Sequence, residues 1–88
     1  MKITLKEQEC NGSSTFSGKI VYTKSFGETF QEKVTEVILV SMSLIFDLVS
    51  KNIADYLQVL TIETNTDNIK FWVIDDGSGV TFLLPEDY

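Results

Sequence analysis

The segment from Thr29 to Asn52 constrains the fold of this chain more than any other, because its polar residues recur at a helical spacing. At about 100° per residue, one narrow arc holds the polar side chains Glu36, Ser43, Asp47 and Ser50, with Lys33 and Lys51 at its edge. The remaining arc, roughly 220° wide, is apolar, and Ile45 lies near its centre. A helix that packs on one sheet needs an apolar stripe of only about 100°. The segment therefore predicts a long helix with more apolar surface than one neighbouring layer covers.

Both ends of this segment carry helix signals. Thr29-Phe30-Gln31-Glu32 fits a capping box at the start, and Lys51 and Asn52 suit a last turn and its exit. Several β-branched residues between positions 34 and 40 favour a rival arrangement, in which a strand near Lys24 to Val34 precedes a shorter helix. The spacing of the polar residues favours the single long helix.

The surplus apolar surface lies at the two shoulders of this helix. Leu39 and Phe46 occupy one shoulder, and Leu44 occupies the other. We expect at least one shoulder to remain accessible in an isolated monomer, or to be covered by a second chain.

Five further segments read as strands. Ile3 and Leu5 alternate with polar residues, and Phe16 to Thr23 is rich in β-formers, so these two stretches predict a first hairpin across a polar turn. After the helix, three short apolar segments are separated by two turn signals, and they predict a meander: Tyr56 to Glu63, Ile69 to Ile74 and Val80 to Leu84.

Assembled, the segments predict an α+β fold in the order ββαβββ, with an antiparallel sheet of about five strands and one long helix across a face. The strands carry large apolar groups on both sides. Period-2 alternation places Phe71 and Trp72 on opposite faces but leaves open which of them is inside. A sheet that is apolar on both faces exceeds what a two-layer fold can hide.

Composition bounds the class of protein. Eighty-eight residues with 43% hydrophobic content predict one domain, residues 1–88, that ends in a short acidic tail at 85–88. The single cysteine, Cys10, excludes an internal disulfide and favours a reducing compartment. The N-terminal sequence carries no apolar signal core, and the longest uncharged apolar stretch, Val37 to Phe46, is about half of the roughly 20 residues that span a bilayer. We expect a cytoplasmic protein of the producing or host cell, without membrane contact.

The residues that usually carry catalysis are scarce. The chain has no histidine and one cysteine, which removes the common acid–base groups, the usual triads and most zinc sites. Gly77-Ser78-Gly79 reads as a turn rather than a phosphate loop. Asp75 and Asp76, with Asp67 nearby, could bind Ca²⁺, but their spacing does not follow a calcium loop. The sequence predicts no enzyme activity, no cofactor and no metal site.

Net charge directs the functional hypothesis. A formal charge of −6 repels phosphate backbones and anionic membranes, which disfavours direct nucleic-acid binding. The profile of a short, acidic, histidine-free domain with a C-terminal meander is similar to small inhibitors encoded by phages and to immunity proteins. This likeness implies a module that binds and occludes a partner protein, one with a basic surface.

The predicted contact residues are the apolar shoulder, the aromatic pair and the acidic turn: Leu39, Phe46, Phe71, Trp72, Asp75 and Asp76. The alternative function is that of a homo-oligomeric subunit, which uses its excess apolar surface to bind a copy of itself.

Overall fold

The computed structural model describes residues 2–88 and has the predicted element order, ββαβββ, with the helix in two pieces. The strands are β1 Lys2–Leu5, β2 Lys19–Tyr22, β3 Leu57–Glu63, β4 Asn68–Asp75 and β5 Gly79–Leu83. The α-helices are α1 Lys24–Phe30 and α2 Val34–Ser50, and two 3-10 turns span Gln31–Lys33 and Pro85–Asp87. The chain therefore has an α+β fold of two layers, a five-stranded sheet and a helical layer on one face.

The helical region begins five residues before the predicted start. Thr23 is the N-cap of α1, and its side-chain oxygen accepts a hydrogen bond from the Phe26 backbone N–H at 3.3 Å. Phe26 and Phe30 lie one turn apart and are both buried, so α1 has an apolar side of its own. The predicted capping box at Thr29 is wrong, and so is the rival strand near Lys24 to Val34.

A kink separates α1 from α2. Gln31 has a positive φ of 48°, which ends α1, and the 3-10 turn that follows redirects the chain before α2 begins at Val34. At the other end α2 stops at Ser50, and Asn52 adopts the left-handed conformation, with φ of 58°. Asparagine tolerates this conformation better than most residues, so the predicted exit at Asn52 is confirmed.

The two sides of α2 follow the predicted helical phase. Its inner side buries Val34, Val37, Met42 and Ile45. The predicted polar residues of the stripe, namely Glu36, Ser43, Asp47 and Ser50, are all exposed. Ser41 is a buried exception, because its hydroxyl donates to the Val37 carbonyl oxygen at 2.6 Å and so is satisfied within the helix.

The sheet has the strand order β1-β3-β4-β5-β2. The predicted meander is confirmed, since β3, β4 and β5 pair in antiparallel fashion in sequence order. β1 is antiparallel to β3, whereas β2 is parallel to β5. The sheet is therefore mixed, with three antiparallel pairs and one parallel pair at an edge.

The predicted first hairpin is wrong, because β1 and β2 lie at opposite edges of the sheet. Residues 6–18 cross from one edge to the other instead of turning back. A Cβ on Gly18 would lie 3.0 Å from the Gly79 Cα, so glycine at position 18 allows β2 to approach β5 closely. The Thr23 backbone N–H continues this pairing with a hydrogen bond to the Phe82 carbonyl oxygen at 3.1 Å.

Side chains far apart in sequence hold the crossing segment in place. The Gln8 Oε1 atom accepts hydrogen bonds from the Asp55 backbone N–H and from the Gln58 Nε2 atom, both at 2.9 Å. Phe16, which the sequence placed in a strand, lies in this loop with φ of 48° and a fully buried ring. Its backbone N–H donates to Asp75 Oδ2 at 3.0 Å. These contacts replace the hairpin pairing that local pattern predicted.

The core lies between the helices and the inner face of the sheet. The Phe26 ring of α1 contacts Phe71 of β4 and Phe82 of β5 edge-on, with centroid distances of 5.5 and 5.6 Å. Ile45 of α2 and Leu60 of β3 are fully buried in the same cluster. Because Phe71 points inward, its neighbours along β4 point to the opposite face of the sheet.

Candidate protein-binding site

The outer face of the sheet carries an apolar area on the side away from the helical layer. Five outward-facing residues from three adjacent strands form this surface, which we call the Trp72 face: Leu57, Val59, Trp72, Ile74 and Leu83. The first four are partly exposed, whereas Leu83 is buried. In the strand register, Trp72 lies between Val59 of β3 and Leu83 of β5. Trp72 therefore occupies the middle of this face, on the central strand of the sheet.

The C-terminal residues pack against the Trp72 face instead of extending as a free tail. The Tyr88 ring meets the Trp72 ring edge-on, with centroids 5.4 Å apart and an interplanar angle of 65°. Asp87 fixes this turn, because its Oδ2 atom accepts hydrogen bonds from the hydroxyls of Ser25 and Thr23, the latter at 2.7 Å. These hydrogen bonds, led by the one from Ser25, hold the pKa of Asp87 below its usual range. Tyr88 remains largely exposed and adds an aromatic edge to the face.

Charged and polar residues border the Trp72 face on the side of β1. A shallow depression there is lined by Thr4, Lys6, Val59, Thr61, Glu63 and Lys70. Lys2 also faces Glu63 in the register of β1 and β3. This margin mixes both signs of charge, so it is not acidic as a whole.

The exposed helix shoulder lies on the opposite side of the molecule. Leu39, Val40 and Phe46 of α2 are 65%, 39% and 46% exposed. The prediction that one shoulder remains accessible in the monomer is confirmed, because Leu39 and Phe46 are the residues it named. The helices cover the inner face of the sheet and Trp72 lies on the outer one, so the fold does not bring Leu39 and Phe46 together with Trp72.

The structure shows which residue of the aromatic pair, Phe71 and Trp72, is buried. Phe71 is fully buried beneath α1, whereas Trp72 is partly exposed on the outer face. Phe71 therefore belongs to the core and cannot contact a partner while the domain is folded, which corrects its place among the predicted contact residues. The sequence contained one signal for this assignment, because Lys70 shares the strand face of Trp72 and a charged residue at that position favours the solvent side.

The Asp75 carboxylate accepts hydrogen bonds from within the molecule. Its Oδ2 atom accepts hydrogen bonds from the Ser14 hydroxyl and the Phe16 backbone N–H, and its Oδ1 atom accepts one from the Gly77 N–H at 3.0 Å. The hydrogen bond from Ser14 lowers the pKa of Asp75 most, and those from Gly77 and Phe16 lower it further. This carboxylate joins the crossing segment to the β4–β5 turn, which is a structural role.

Asp76 stabilises the same turn. Its Oδ1 atom accepts hydrogen bonds from the backbone N–H groups of Ser78 at 2.9 Å and Gly79 at 2.8 Å, and these bonds lower its pKa. Gly77 has φ of 93°, as the turn requires. Asp76 is exposed at the end of β4, so its charge is available at the edge of the Trp72 face even though its oxygens are engaged.

Within residues 2–88, no group of three or more cysteine, aspartate and glutamate side chains is placed to hold a metal ion. Cys10 is a free and exposed thiol in the crossing segment. In the same range no helix is both long and apolar enough to cross a bilayer.

Two parts of the exposed apolar surface were missed by the sequence. Tyr88 was predicted to lie in a short acidic tail, and β2 was predicted to pair with β1. Ile20, Val21 and Tyr22 of β2 are instead 41%, 42% and 51% exposed at a sheet edge.

Comparison of the chain with known protein families, with curated proteins and with solved structures found no match.

Proposed function

We propose that this chain is a non-enzymatic protein-binding module, a small acidic inhibitor that occludes a functional surface of a partner protein and binds it through the Trp72 face. The observation that carries the proposal is the position of Trp72, in the middle of an apolar area on the outer side of the central strand. Tryptophan is among the residues most enriched at the energetic centres of protein interfaces.

The layering of the fold supports this choice. In sheets of mainly antiparallel strands, the face away from the helices is usually solvated and polar. Here the middle of that face is apolar, and the polar residues Lys6, Thr61 and Lys70 lie at its margin beside β1. An apolar centre with a polar border is the usual anatomy of a protein interface.

The Trp72 face is a better candidate than the helix shoulder. Leu39 and Phe46 are separated along α2 by exposed Ser43, and Glu36 and Asp47 flank them. Exposed apolar residues scattered in this way are common on protein surfaces and need no partner. The Trp72 face instead joins three adjacent strands without an intervening charged residue.

The charge of the chain selects the kind of partner. At −6, the long-range field repels phosphate backbones and attracts a partner with a basic surface. Asp75 and Asp76 accept backbone hydrogen bonds around the β4–β5 turn, which gives both carboxylates a structural role.

A capture experiment with matched variants tests the proposal. The wild-type chain, Trp72→Ala and Phe46→Ala are immobilised at equal density, and partners are recovered from the source cell at low and at physiological salt. Phe46→Ala removes an aromatic ring that is more exposed than Trp72, from the opposite side of the molecule. We expect a stoichiometric partner with wild type and Phe46→Ala, and weakening by about 2 kcal/mol or more, roughly 30-fold, with Trp72→Ala.

The inhibitor part of the proposal needs a second measurement. The recovered partner's own activity is assayed with increasing amounts of the wild-type chain and of Trp72→Ala. Loss of activity with wild type alone supports occlusion. Recovery of no stoichiometric partner, equal recovery by all three baits, or a partner whose activity is unchanged would each contradict the proposed function.

A further inference from the structure

The two edge strands of the sheet, β1 and β2, differ in exposure, and β2 is the more exposed of the two. One side of β2 pairs with β5, and β2 is the last strand in the sheet order, so its other side has no strand beside it. All four residues Lys19–Tyr22 are exposed, and three of them are large and apolar. An apolar edge strand of this kind is a template for pairing with a further strand.

The edge at β1 is different. Ile3 and Leu5 are partly buried against the core, and α2 packs near this strand. Exposed lysines, Lys2 and Lys6, stand at its two ends. Because Ile3 and Leu5 are partly buried whereas all four residues of β2 are exposed, β2 is the more open edge of this sheet.

The backbone of β2 presents a defined set of hydrogen-bonding groups to the open side. The Thr23 N–H donates to Phe82 of β5. Because the N–H and C=O groups of successive residues in a strand point to alternate sides, those of Lys19 and Val21 also face β5. The N–H and C=O groups of Ile20 and Tyr22 therefore face outward.

We propose that β2 pairs in antiparallel fashion with β2 of a second copy of this chain, about a twofold axis at Val21. In this register Ile20 of each copy lies opposite Tyr22 of the other, and the two exchange both backbone hydrogen bonds, four in all. The two Val21 side chains meet at the axis as a pair without backbone hydrogen bonds between them. If only the residues of β2 pair, registers centred on Ile20 or on Tyr22 make about two such bonds.

Charge complementarity identifies the occupant as a second copy. The same register places Lys19 of one copy opposite Thr23 of the other. The Thr23 hydroxyl donates to Asp87 Oδ2 of the same copy at 2.7 Å. The Asp87 carboxylate therefore lies beside the position that Lys19 of the other copy occupies. The twofold axis repeats this contact, and the pairing gains two Lys19–Asp87 ion pairs while it separates the two Lys19 side chains.

The geometry also fixes the strength and the shape of the assembly. A four-residue strand buries less area than a stable dimer interface needs, so the dimer is reversible and depends on concentration. Since the axis is perpendicular to the sheet, both Trp72 faces lie on the same side of one ten-stranded sheet. The inference goes beyond the proposed function and does not rest on it, because β2 pairing leaves the Trp72 face free.

The oligomeric state of the wild-type chain is the first test. Light scattering from about 10 μM to about 1 mM should show the mass rising from that of a 9.9 kDa monomer toward twice that value. Lys19→Glu should raise the dissociation constant about fivefold to tenfold, because it places a second acid beside Asp87. Lys24→Glu, which changes the net charge equally, should have a much smaller effect.

Disulfide trapping tests the register. In a Cys10→Ser background, Val21→Cys should oxidise to a covalent dimer, because residues of such a pair have Cα atoms about 4.5 Å apart, within disulfide range. Ile20→Cys is equally exposed, but the two copies of position 20 would lie about 8 Å apart, beyond that range. A monomer at every concentration, equal trapping at both positions, or equal weakening by the two lysine variants would overturn the proposal.

Discussion

Ile45 lies on the inner side of α2 with no exposed surface, whereas Asp47, two residues later, is exposed and forms an ion pair with Lys51 at 3.1 Å. Because their surroundings differ, the two residues contribute very different amounts to the free energy of unfolding. Burial of an aliphatic side chain contributes about 1.5 to 3 kcal/mol, while an exposed pair on a helix contributes about 0.3 to 0.5 kcal/mol. At the residue scale, stability therefore depends on which side of a helix a residue occupies.

Ile45→Asp should unfold the domain. An unpaired carboxylate at this buried position costs several kcal/mol, comparable to the whole stability of a small domain. Asp47→Ala should change the free energy of unfolding by less than about 0.5 kcal/mol. Thermal melts of both variants check this, and a wild-type melting temperature for Ile45→Asp would contradict the phase assigned to α2.

Acid should weaken the fold through its hydrogen-bonded carboxylates. The pKa values of Asp75, Asp76 and Asp87 are lowered in the folded state, so the unfolded chain binds more protons in acid. The stability they contribute is complete above about pH 5 and is lost as the pH falls through about 4 toward the lowered values.

Asp75→Asn tests this account, since it removes the charge from the carboxylate that ties Ser14 and Phe16 to the turn. We expect it to cost about 1 to 2 kcal/mol at pH 7 and to lose less further stability than wild type at about pH 3. Asp67→Asn, an exposed change of the same charge, is the control. Urea titrations at the two pH values would contradict the account if both variants behaved alike.

At the scale of elements, the start of the helical region depends on Thr23. The Thr23 side chain caps α1, and the two phenylalanines of α1 anchor it to the sheet. Thr29, the predicted cap, lies in the last turn of α1 and donates its hydroxyl proton to the Ser25 carbonyl oxygen instead.

Thr23→Ala should lower the free energy of unfolding by about 1 kcal/mol, because it removes an N-cap. Thr29→Ala should change it by only a few tenths, since alanine is a better helix former and no cap is lost. Denaturant midpoints of the two variants distinguish the observed helix start from the predicted one, and the reverse order of effects would support a start at Thr29.

Elements with a local signal could be predicted, and those held by distant contacts could not. Period-2 alternation and turn residues predict β3, β4 and β5, and the polar stripe predicts the phase of α2. The pairing of β2 with β5 depends on Gly18 meeting Gly79, and the crossing segment depends on Gln8 contacting Asp55 and Gln58. Those partners are more than forty residues apart, so no local pattern shows them.

For the molecule as a whole, the important asymmetry is that the helices cover one face of a sheet whose two faces are both apolar. The sequence predicts the excess of apolar surface and names Trp72 as an anchor. It leaves the choice between Phe71 and Trp72 open because Phe26, which covers Phe71, belongs to a helix that the sequence did not predict. The Trp72 face becomes visible only when α1 is in place.

The most direct test of the account is a paired measurement on Phe71→Ala and Trp72→Ala, by thermal melting and by titration with the partner recovered on the wild-type chain. Phe71→Ala should lose about 3 to 5 kcal/mol of folding free energy. Trp72→Ala should lose little folding free energy but bind the partner at least about 30-fold more weakly. A Trp72→Ala variant that is folded and binds like wild type would contradict the account and move the contact to the helix shoulder.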